Sequence, residues 1–223
     1  MKTVLITGAN RGIGLALARR FTSRGDTVIG VCRNASKDLE ATGARVEAGI
    51  DVTDGEALAK LAGRLDDTRI DVLVLNAGIL GREKLGEIDE DGFESMRRQF
   101  EVNAIGPLRV AQALLGQLSE GAKIGIVTSR MGSVADNGSG GAYGYRASKA
   151  AVNAVGKSLA LDLKPRGIAV FLLHPGYVAT DMVGGTGDVS PEQSATQLVE
   201  RLDTLSLEQS GTFWHANGSE LPW

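Results

Sequence analysis

Tyr145 and Lys149 are the two residues whose types and spacing most clearly suggest acid–base chemistry. Residues four apart on a helix lie on one face, so a helix here would bring the Lys ammonium near the Tyr phenol. Because a nearby cation favours the phenolate, we expect the pKa of Tyr145 to fall from its usual value of about 10 toward neutrality. Such a phenol is a general acid or base at cellular pH. The same spacing also arises by chance, with a solvated Lys beside a packing Tyr.

Ser129 follows an apolar run and precedes this pair by a glycine-rich loop. A hydroxyl delivered by the end of a strand would hold a substrate oxygen beside Tyr145. Ser133 in the same loop is a rival for that role.

A glycine-rich turn follows the first apolar run of the chain. Residues 4–6 are Val-Leu-Ile, Gly8, Gly12 and Gly14 come next, and residues 15–21 have the apolar spacing of a helix. Glycines let the backbone turn tightly, and a helix N-terminus offers free N–H groups and a positive dipole end. A strand, a glycine turn and a helix in this order predict a phosphate-binding site, although the spacing is not the commoner Gly-x-Gly-x-x-Gly.

Two arginines indicate which dinucleotide this site would bind. The second predicted strand, residues 27–32, is followed by Arg33, and Arg11 lies in the glycine turn. At the end of this strand a carboxylate accepts from the ribose of NAD, whereas an Arg accommodates the 2′-phosphate of NADP. Since the strand end offers no carboxylate, we expect NADP(H) to be preferred over NAD(H). The alternative is that Arg33 is only a surface cation.

Strands and helices alternate along the rest of the chain. Further strands are predicted over residues 45–50, 70–75, 123–128, 168–173 and 211–216. Helices are predicted over residues 54–65, 145–163 and 190–205. This alternation predicts a doubly wound parallel α/β sheet that binds its ligands at the carboxyl ends of the strands.

One long helix is predicted to run from about Phe93 to Leu118 and to bend near its middle. Pro107 has no N–H, so the carbonyl of Asn103 loses its helical partner. A buried free carbonyl favours an ordered water, which would serve proton transfer. The alternative is that Pro107 only makes a packing kink.

The composition excludes several classes of function. The net charge is -3, and no basic block suggests binding to nucleic acid. No apolar stretch approaches the ~20 residues that cross a bilayer. The single cysteine, Cys32, fits the reducing cytoplasm, and His174 and His215 lack the neighbours of a metal site, so no metal is expected. We expect one domain over residues 1–223.

Taken together, these motifs resemble the short-chain dehydrogenase/reductase family over essentially the whole chain. They are a Thr-Gly-x-x-x-Gly-Ile-Gly turn over residues 7–14, Asp51-Val52, Asn76-Ala77-Gly78, Asn103, Ser129, Tyr145-x-x-x-Lys149 and Pro175-Gly176-x-Val178-x-Thr180. Residues 129–133 and the last residues, 218–223, are similar to the carbonyl-reductase-like branch that includes C-factor and sniffer-type proteins.

The resemblance implies a Rossmann fold with a seven-stranded parallel sheet, helices on both faces, and hydride transfer between a nicotinamide and a small carbonyl or alcohol substrate. It implies that Asn103, Ser129, Tyr145 and Lys149 are catalytic. Of these four residues, it implies that Asn103, Tyr145 and Lys149 also contact the cofactor. The other cofactor residues implied are Gly8, Asn10, Arg11, Gly12, Ile13, Gly14, Arg33, Asp51, Val52, Asn76, Ala77, Gly78, Pro175, Gly176, Val178 and Thr180.

Other functions stay open at this stage. A regulator that binds NADP(H) with little turnover is the main alternative, and an epimerase or dehydratase on the related extended scaffold is a third. Family members commonly associate through the two long helices, here those around Leu108 and Val155, so a homodimer is also expected. The segment after Thr180, which forms the substrate lid in the family, is short and glycine-rich here, so the resemblance implies an open pocket and does not identify the substrate.

Overall fold

A seven-stranded parallel sheet forms the centre of the computed structural model, which describes all residues 1–223. Its strands are β1 (Thr3–Thr7), β2 (Thr27–Val31), β3 (Arg45–Glu47), β4 (Ile70–Leu75), β5 (Leu118–Val127), β6 (Ala169–His174) and β7 (Thr212–His215). Their order is β3-β2-β1-β4-β5-β6-β7. The chain changes direction across the sheet between β1 and β4, the kind of switch point at which such folds bind ligands. The predicted doubly wound sheet is confirmed.

Helices cover both faces of the sheet. They are α1 (Gly12–Ser23), α2 (Lys37–Glu40), α3 (Gly55–Arg64), α4 (Glu90–Phe100), α5 (Gly106–Ala113), α6 (Tyr143–Leu163) and α7 (Pro191–Thr204). Successive residues of β4 face opposite sides, so Leu73 packs in the core beneath α3, α5 and α6, and Val74 in the core beneath α1 and α7. No helix has both the length and the apolar character needed to cross a membrane.

Side-chain caps fix where two of the predicted helices begin. Asp54 accepts from the N–H groups of the first turn of α3. Ser190 and Gln193 form a reciprocal capping box at the start of α7, with Pro191 as its first residue.

The long helix predicted from Phe93 to Leu118 is interrupted by a π-helical turn, and the prediction is wrong beyond Ala113, where the helix ends. The chain forms α4, then a π-helical turn over Glu101–Ile105, then α5, which ends at Ala113. In the π-helical turn the Gly106 N–H donates to the Glu101 carbonyl five residues earlier. Pro107 is the second residue of α5, and because the π-helical turn continues directly into α5, its missing N–H leaves a carbonyl of that turn without its helical partner. The predicted break near Asn103 is therefore real, and its form is a π-helical turn.

Two strand boundaries also differ from the prediction. β3 ends at Glu47, whereas this strand was predicted to continue to Ile50. β5 begins at Leu118, five residues before Lys123, because Leu118 pairs with Ile70 ahead of an irregularity in the register. The intervening polar residues hid this extension.

Candidate active site

A cavity of about 850 Å³ opens at the carboxyl ends of the strands. Its wall contains every residue that was predicted to contact cofactor or substrate except Gly14 and Asn103. The sheet therefore brings together segments that are far apart in the sequence, as expected at a switch point.

The glycine turn at one end of the cavity is closely packed. A Cβ atom at Gly14 would lie 2.1 Å from the Gly8 carbonyl oxygen, so only glycine fits there. Asn76 Nδ2 donates to the carbonyls of Thr7, at 3.0 Å, and Gly8, at 3.2 Å, and so joins the ends of β1 and β4. Gly14 and Asn76 thus hold the glycine turn in this shape.

The N-terminus of α1 fits an anionic group. Its capping residue, Arg11, makes no side-chain hydrogen bond to the helix, and the first turn has no acidic residue. The N–H groups and the positive dipole end thus face the cavity without competition from a carboxylate, which suits a pyrophosphate.

Two arginines of the cavity wall share one carboxylate beyond the end of β2. Arg33 lies 3.9 Å from Asp51 and Arg98 lies 3.2 Å from the same carboxylate. Burial raises the pKa of Asp51, but hydrogen bonds from Thr53 and the charges of Arg98 and Arg33 outweigh it, so the net shift is downward. Arg11 pairs loosely with Asp181, at 3.8 Å.

Arg98 was missed by the sequence analysis. It lies on α4, 47 residues from Asp51, and it lines the cavity together with Arg33. No local pattern links a helical arginine to a strand end so far away in the sequence.

Lys149 and Tyr145 lie side by side on α6, as predicted. Lys149 Nζ is over the Tyr145 ring, 5.8 Å from its centre, and donates to the Val127 carbonyl at 2.9 Å. Lys149 is 4% exposed, and burial lowers its pKa to about 8.

The predicted fall in the pKa of Tyr145 is wrong for this structure. Burial raises the pKa of Tyr145, and a hydrogen bond with Ser129 lowers it by less. The spacing places Lys149 correctly, but the low polarity around the phenol disfavours the phenolate more than its neighbours stabilise it.

The structure separates the two serines that competed for the substrate oxygen. Ser129 lines the cavity, and its hydroxyl accepts from the Met131 N–H at 3.2 Å. Ser133 is 1% exposed and lies outside this cavity wall. Its hydroxyl donates to the Trp223 carbonyl and accepts from the Asp136 N–H.

Asn103 lies behind the cavity wall. Its side chain accepts from the Ile79 N–H at 2.8 Å, and it donates to the Ile79 carbonyl at 2.9 Å and the Ser148 hydroxyl at 3.0 Å. A Cβ atom at Gly78 would lie 3.2 Å from Asn103 Oδ1 and 3.7 Å from Lys149 Nζ. Asn103 and Lys149 thus flank Gly78, and the ordered water expected at the Asn103 carbonyl stays a prediction.

The far end of the cavity is lined by both apolar and polar side chains. Met131, Met182 and Val183 line it. His174, at the end of β6, also lines it and packs edge-on against His215, 4.8 Å between ring centres. Burial, followed by the charges of His215 and Arg130, lowers the pKa of His174 to about 3, so this ring is neutral.

Known proteins resemble the chain in sequence. The family model of the short chain dehydrogenases matches residues 2–194. A 1-hydroxy-2-glutathionyl-2-methyl-3-butene dehydrogenase from Rhodococcus is 44% identical, with 100% of both chains covered. The C-signal protein of Myxococcus xanthus is 45% identical over 69% of this chain and 93% of its own.

Solved structures resemble it in fold. The NADPH-bound carbonyl reductase from chicken fatty liver superposes with a TM-score of 0.90 at 29% identity, covering 100% of this chain and 99% of its own. A Pseudomonas aeruginosa carbonyl reductase in complex with NADP has a TM-score of 0.85 at 35% identity, with 100% of both chains covered. The chain belongs to the short-chain dehydrogenase family of oxidoreductases.

Proposed function

We propose that this oxidoreductase is an NADP(H)-dependent carbonyl reductase that uses Tyr145 as its general acid and base. The observation that carries the proposal is the convergence of Ser129, Tyr145 and Lys149 on the same cavity as the glycine turn of α1. A phosphate cradle and a buried phenol in one cavity are what hydride transfer to a carbonyl requires.

The residues of the cavity fit NADP(H). The free N-terminus of α1 would hold the pyrophosphate, and Arg11, Arg33 and Arg98 offer three guanidinium groups for a 2′-phosphate. Asp51 and Val52 would flank the adenine, Asn76 to Gly78 the ribose, and Val178 and Thr180 the carboxamide. NADP-bound carbonyl reductases among the structural neighbours support this choice.

NADPH supplies the hydride when it is bound, and the side chains manage the oxygen and the proton. Ser129 donates to the substrate carbonyl oxygen. Tyr145 gives this oxygen its proton, and its raised pKa keeps the phenol protonated at neutral pH, which favours reduction. Lys149, with a pKa of about 8, is mostly cationic at pH 7 and holds a ribose hydroxyl of the cofactor.

The test is steady-state oxidation of NADPH and NADH against aldehydes, ketones and quinones. A 2-glutathionyl aldehyde belongs in the panel, because the Rhodococcus relative is a dehydrogenase of a 1-hydroxy-2-glutathionyl compound. We expect turnover with NADPH preferred, and a loss of at least ~10²-fold in Tyr145→Phe. Near-normal turnover by Tyr145→Phe would refute the mechanism.

A second candidate is a signalling protein that binds NADP(H) with little turnover. The 45% identity to the C-signal protein favours it. Tight NADPH binding by calorimetry without turnover on the whole panel would support this candidate, whereas Tyr145-dependent turnover would support the reductase.

A further inference from the structure

Three segments of the chain that each contribute residues to the cavity wall meet beside the start of α6. They are the loop after β4, helix α4 and the first turn of α6, and the polar side chains between them are Glu83 and Gln99. Glu83 is 9% exposed and Gln99 is 1% exposed. A buried carboxylate is costly unless it is fully hydrogen-bonded, so its partners show what it does.

Each oxygen of the Glu83 carboxylate accepts one hydrogen bond from a different helix. Gln99 Nε2 on α4 donates to Oε1 at 2.6 Å, and the Gly144 N–H on α6 donates to Oε2 at 2.9 Å. The Gln99 carbonyl oxygen in turn accepts from the Gly81 N–H at 2.9 Å. The pair thus ties the loop to both helices.

Glycines make this arrangement sterically possible. A Cβ atom at Gly81 would lie 2.3 Å from Gln99 Nε2, and one at Gly144 would lie 2.6 Å from the same nitrogen. Neither glycine has a positive φ. The backbones therefore approach the amide more closely than any side chain would permit.

The join between loop and helix is also held by the backbone of Glu83. Ala142, which precedes α6, has a φ of 47° and is the only residue besides glycine in the left-handed region. This conformation costs energy for alanine and persists where neighbouring contacts hold it. The Ala142 N–H donates to the Glu83 carbonyl at 2.9 Å.

Tyr145 lies in the helical turn between two anchors, that is, two residues of α6 that are held by hydrogen bonds from other segments. Gly144, immediately before it, is held by Glu83, and Ser148, three residues after it, is held by Asn103. Gln99, which donates to Glu83, lies in the last turn of α4, and Asn103 follows it four residues later in the π-helical turn, so this helical segment supports both anchors, one of them through Glu83.

We propose that Glu83 and Gln99 are positioning residues that fix the first turn of α6 and, through it, the hydroxyl of Tyr145. The proposal rests on the proposed function, since it assigns these residues to the reaction of Tyr145. The carboxylate also complements the positive end of the α6 dipole. Because small displacements of a reacting group cost about 10²-fold in rate, a loosened turn lowers turnover without removing any group from the cavity.

The first test is Glu83→Gln, measured by kcat and by the KM for NADPH. A glutamine has one acceptor oxygen, so either Gln99 or Gly144 then faces an NH₂ group. We expect kcat to fall by ~10-fold or more while the KM for NADPH changes by less than about twofold. Gln99→Asn, one methylene shorter, is the milder variant if Glu83→Gln does not fold.

The swapped double variant Glu83→Gln with Gln99→Glu supplies the rescue. Gln at 83 would accept from Gly144 and donate to Glu at 99, whose second oxygen would accept from Gly81, so all three hydrogen bonds are restored. We expect kcat to return to within about threefold of the parent. The matched control is Glu47→Gln, a buried acid 7% exposed on β3 that pairs with Arg45 and Arg64, with unchanged kcat.

Two outcomes would overturn the proposal while leaving the proposed function intact. One is a folded Glu83→Gln variant with the parent kcat and Tyr145-dependent turnover. The other is a double variant as slow as Glu83→Gln alone, since the effect would then not depend on the hydrogen bonds. Failure of the proposed function is distinct, because Tyr145→Phe would itself stay active.

Discussion

Lys149 and Tyr145 share one buried environment, with the ammonium 5.8 Å from the centre of the phenol ring. Burial lowers the pKa of the first to about 8 and raises the pKa of the second. Burial therefore favours the neutral form of both side chains. The spacing of Tyr145 and Lys149 in the sequence does not predict these two pKa shifts. The direction of each shift has a measurable consequence.

The first prediction concerns the pH dependence of the two directions of reaction. Reduction needs the protonated phenol, and a raised pKa keeps Tyr145 protonated, so we expect kcat for reduction to be flat between about pH 6 and 7.5. Oxidation needs the phenolate, so its kcat should rise about tenfold per pH unit over the same interval. Stopped-flow or steady-state assays in both directions measure this. An oxidation rate that is already level at pH 7 would instead indicate a lowered pKa.

The second prediction concerns stability. Because burial lowers the folded pKa of Lys149 from 10.5 to about 8, the unfolded chain binds more protons between these values, and stability rises with pH there. The rise should amount to about 3 kcal/mol, and Lys149→Met should lack it. Urea unfolding of both proteins at about pH 7 and pH 10 gives the difference. Equal pH dependence in the two proteins would contradict the assigned burial cost.

Much of the fold was predictable because its strands are buried on both faces. Ile70–Leu75 is nearly all apolar and was predicted to the residue, as such a strand must be. The start of β5 was missed because Ser119, Glu120 and Gly121 are polar or flexible and interrupt the apolar run. Only the pairing of Leu118 with Ile70 makes them part of a strand.

The candidate site was predictable where local motifs encode it and not where distant segments meet. The spacing of Tyr145 and Lys149 follows from one helix, but the polarity around them depends on how the whole sheet packs. The contact between Glu83 and Gly144 joins residues 61 apart in the sequence. Gln99 could have been noticed, since it lies one helical turn before Asn103.

The third prediction separates Ser129 from Ser133. Ser129→Ala removes the hydroxyl that lines the cavity and accepts from the Met131 N–H, so we expect kcat to fall ~10²-fold or more and the stability to fall by about 1 kcal/mol. Ser133→Ala removes the bonds to Trp223 and Asp136, and we expect it to cost about 1 kcal/mol of stability with kcat near the parent value. Kinetics and urea unfolding of both variants test this, and the reverse pattern would make Ser133 the reacting hydroxyl.

The fourth prediction concerns the choice of cofactor. Arg33→Ala removes a guanidinium from the end of β2, so we expect the Kd for NADPH to rise ~10-fold and that for NADH to stay within about twofold. Arg20→Ala, an exposed arginine of α1 outside the cavity wall, is the matched control. Fluorescence titration of the parent and both variants with NADPH and NADH measures the six dissociation constants. An equal loss of NADPH and NADH binding would show that Arg33 does not read the 2′-phosphate.

The last prediction compares two glycines that both lie within helices. A methyl group at Gly14 would meet the Gly8 carbonyl at 2.1 Å and Asn76 Nδ2 at 2.7 Å, so Gly14→Ala should cost about 3 kcal/mol or more and weaken NADPH binding. Gly63 in α3 has no atom within 4 Å of the added group, and its φ is not positive. Gly63→Ala should therefore stabilise the protein by about 0.5–1 kcal/mol, because alanine loses less backbone entropy on folding. Urea unfolding of the two variants tests the pair, and a tolerated Gly14→Ala would mean that the turn can open.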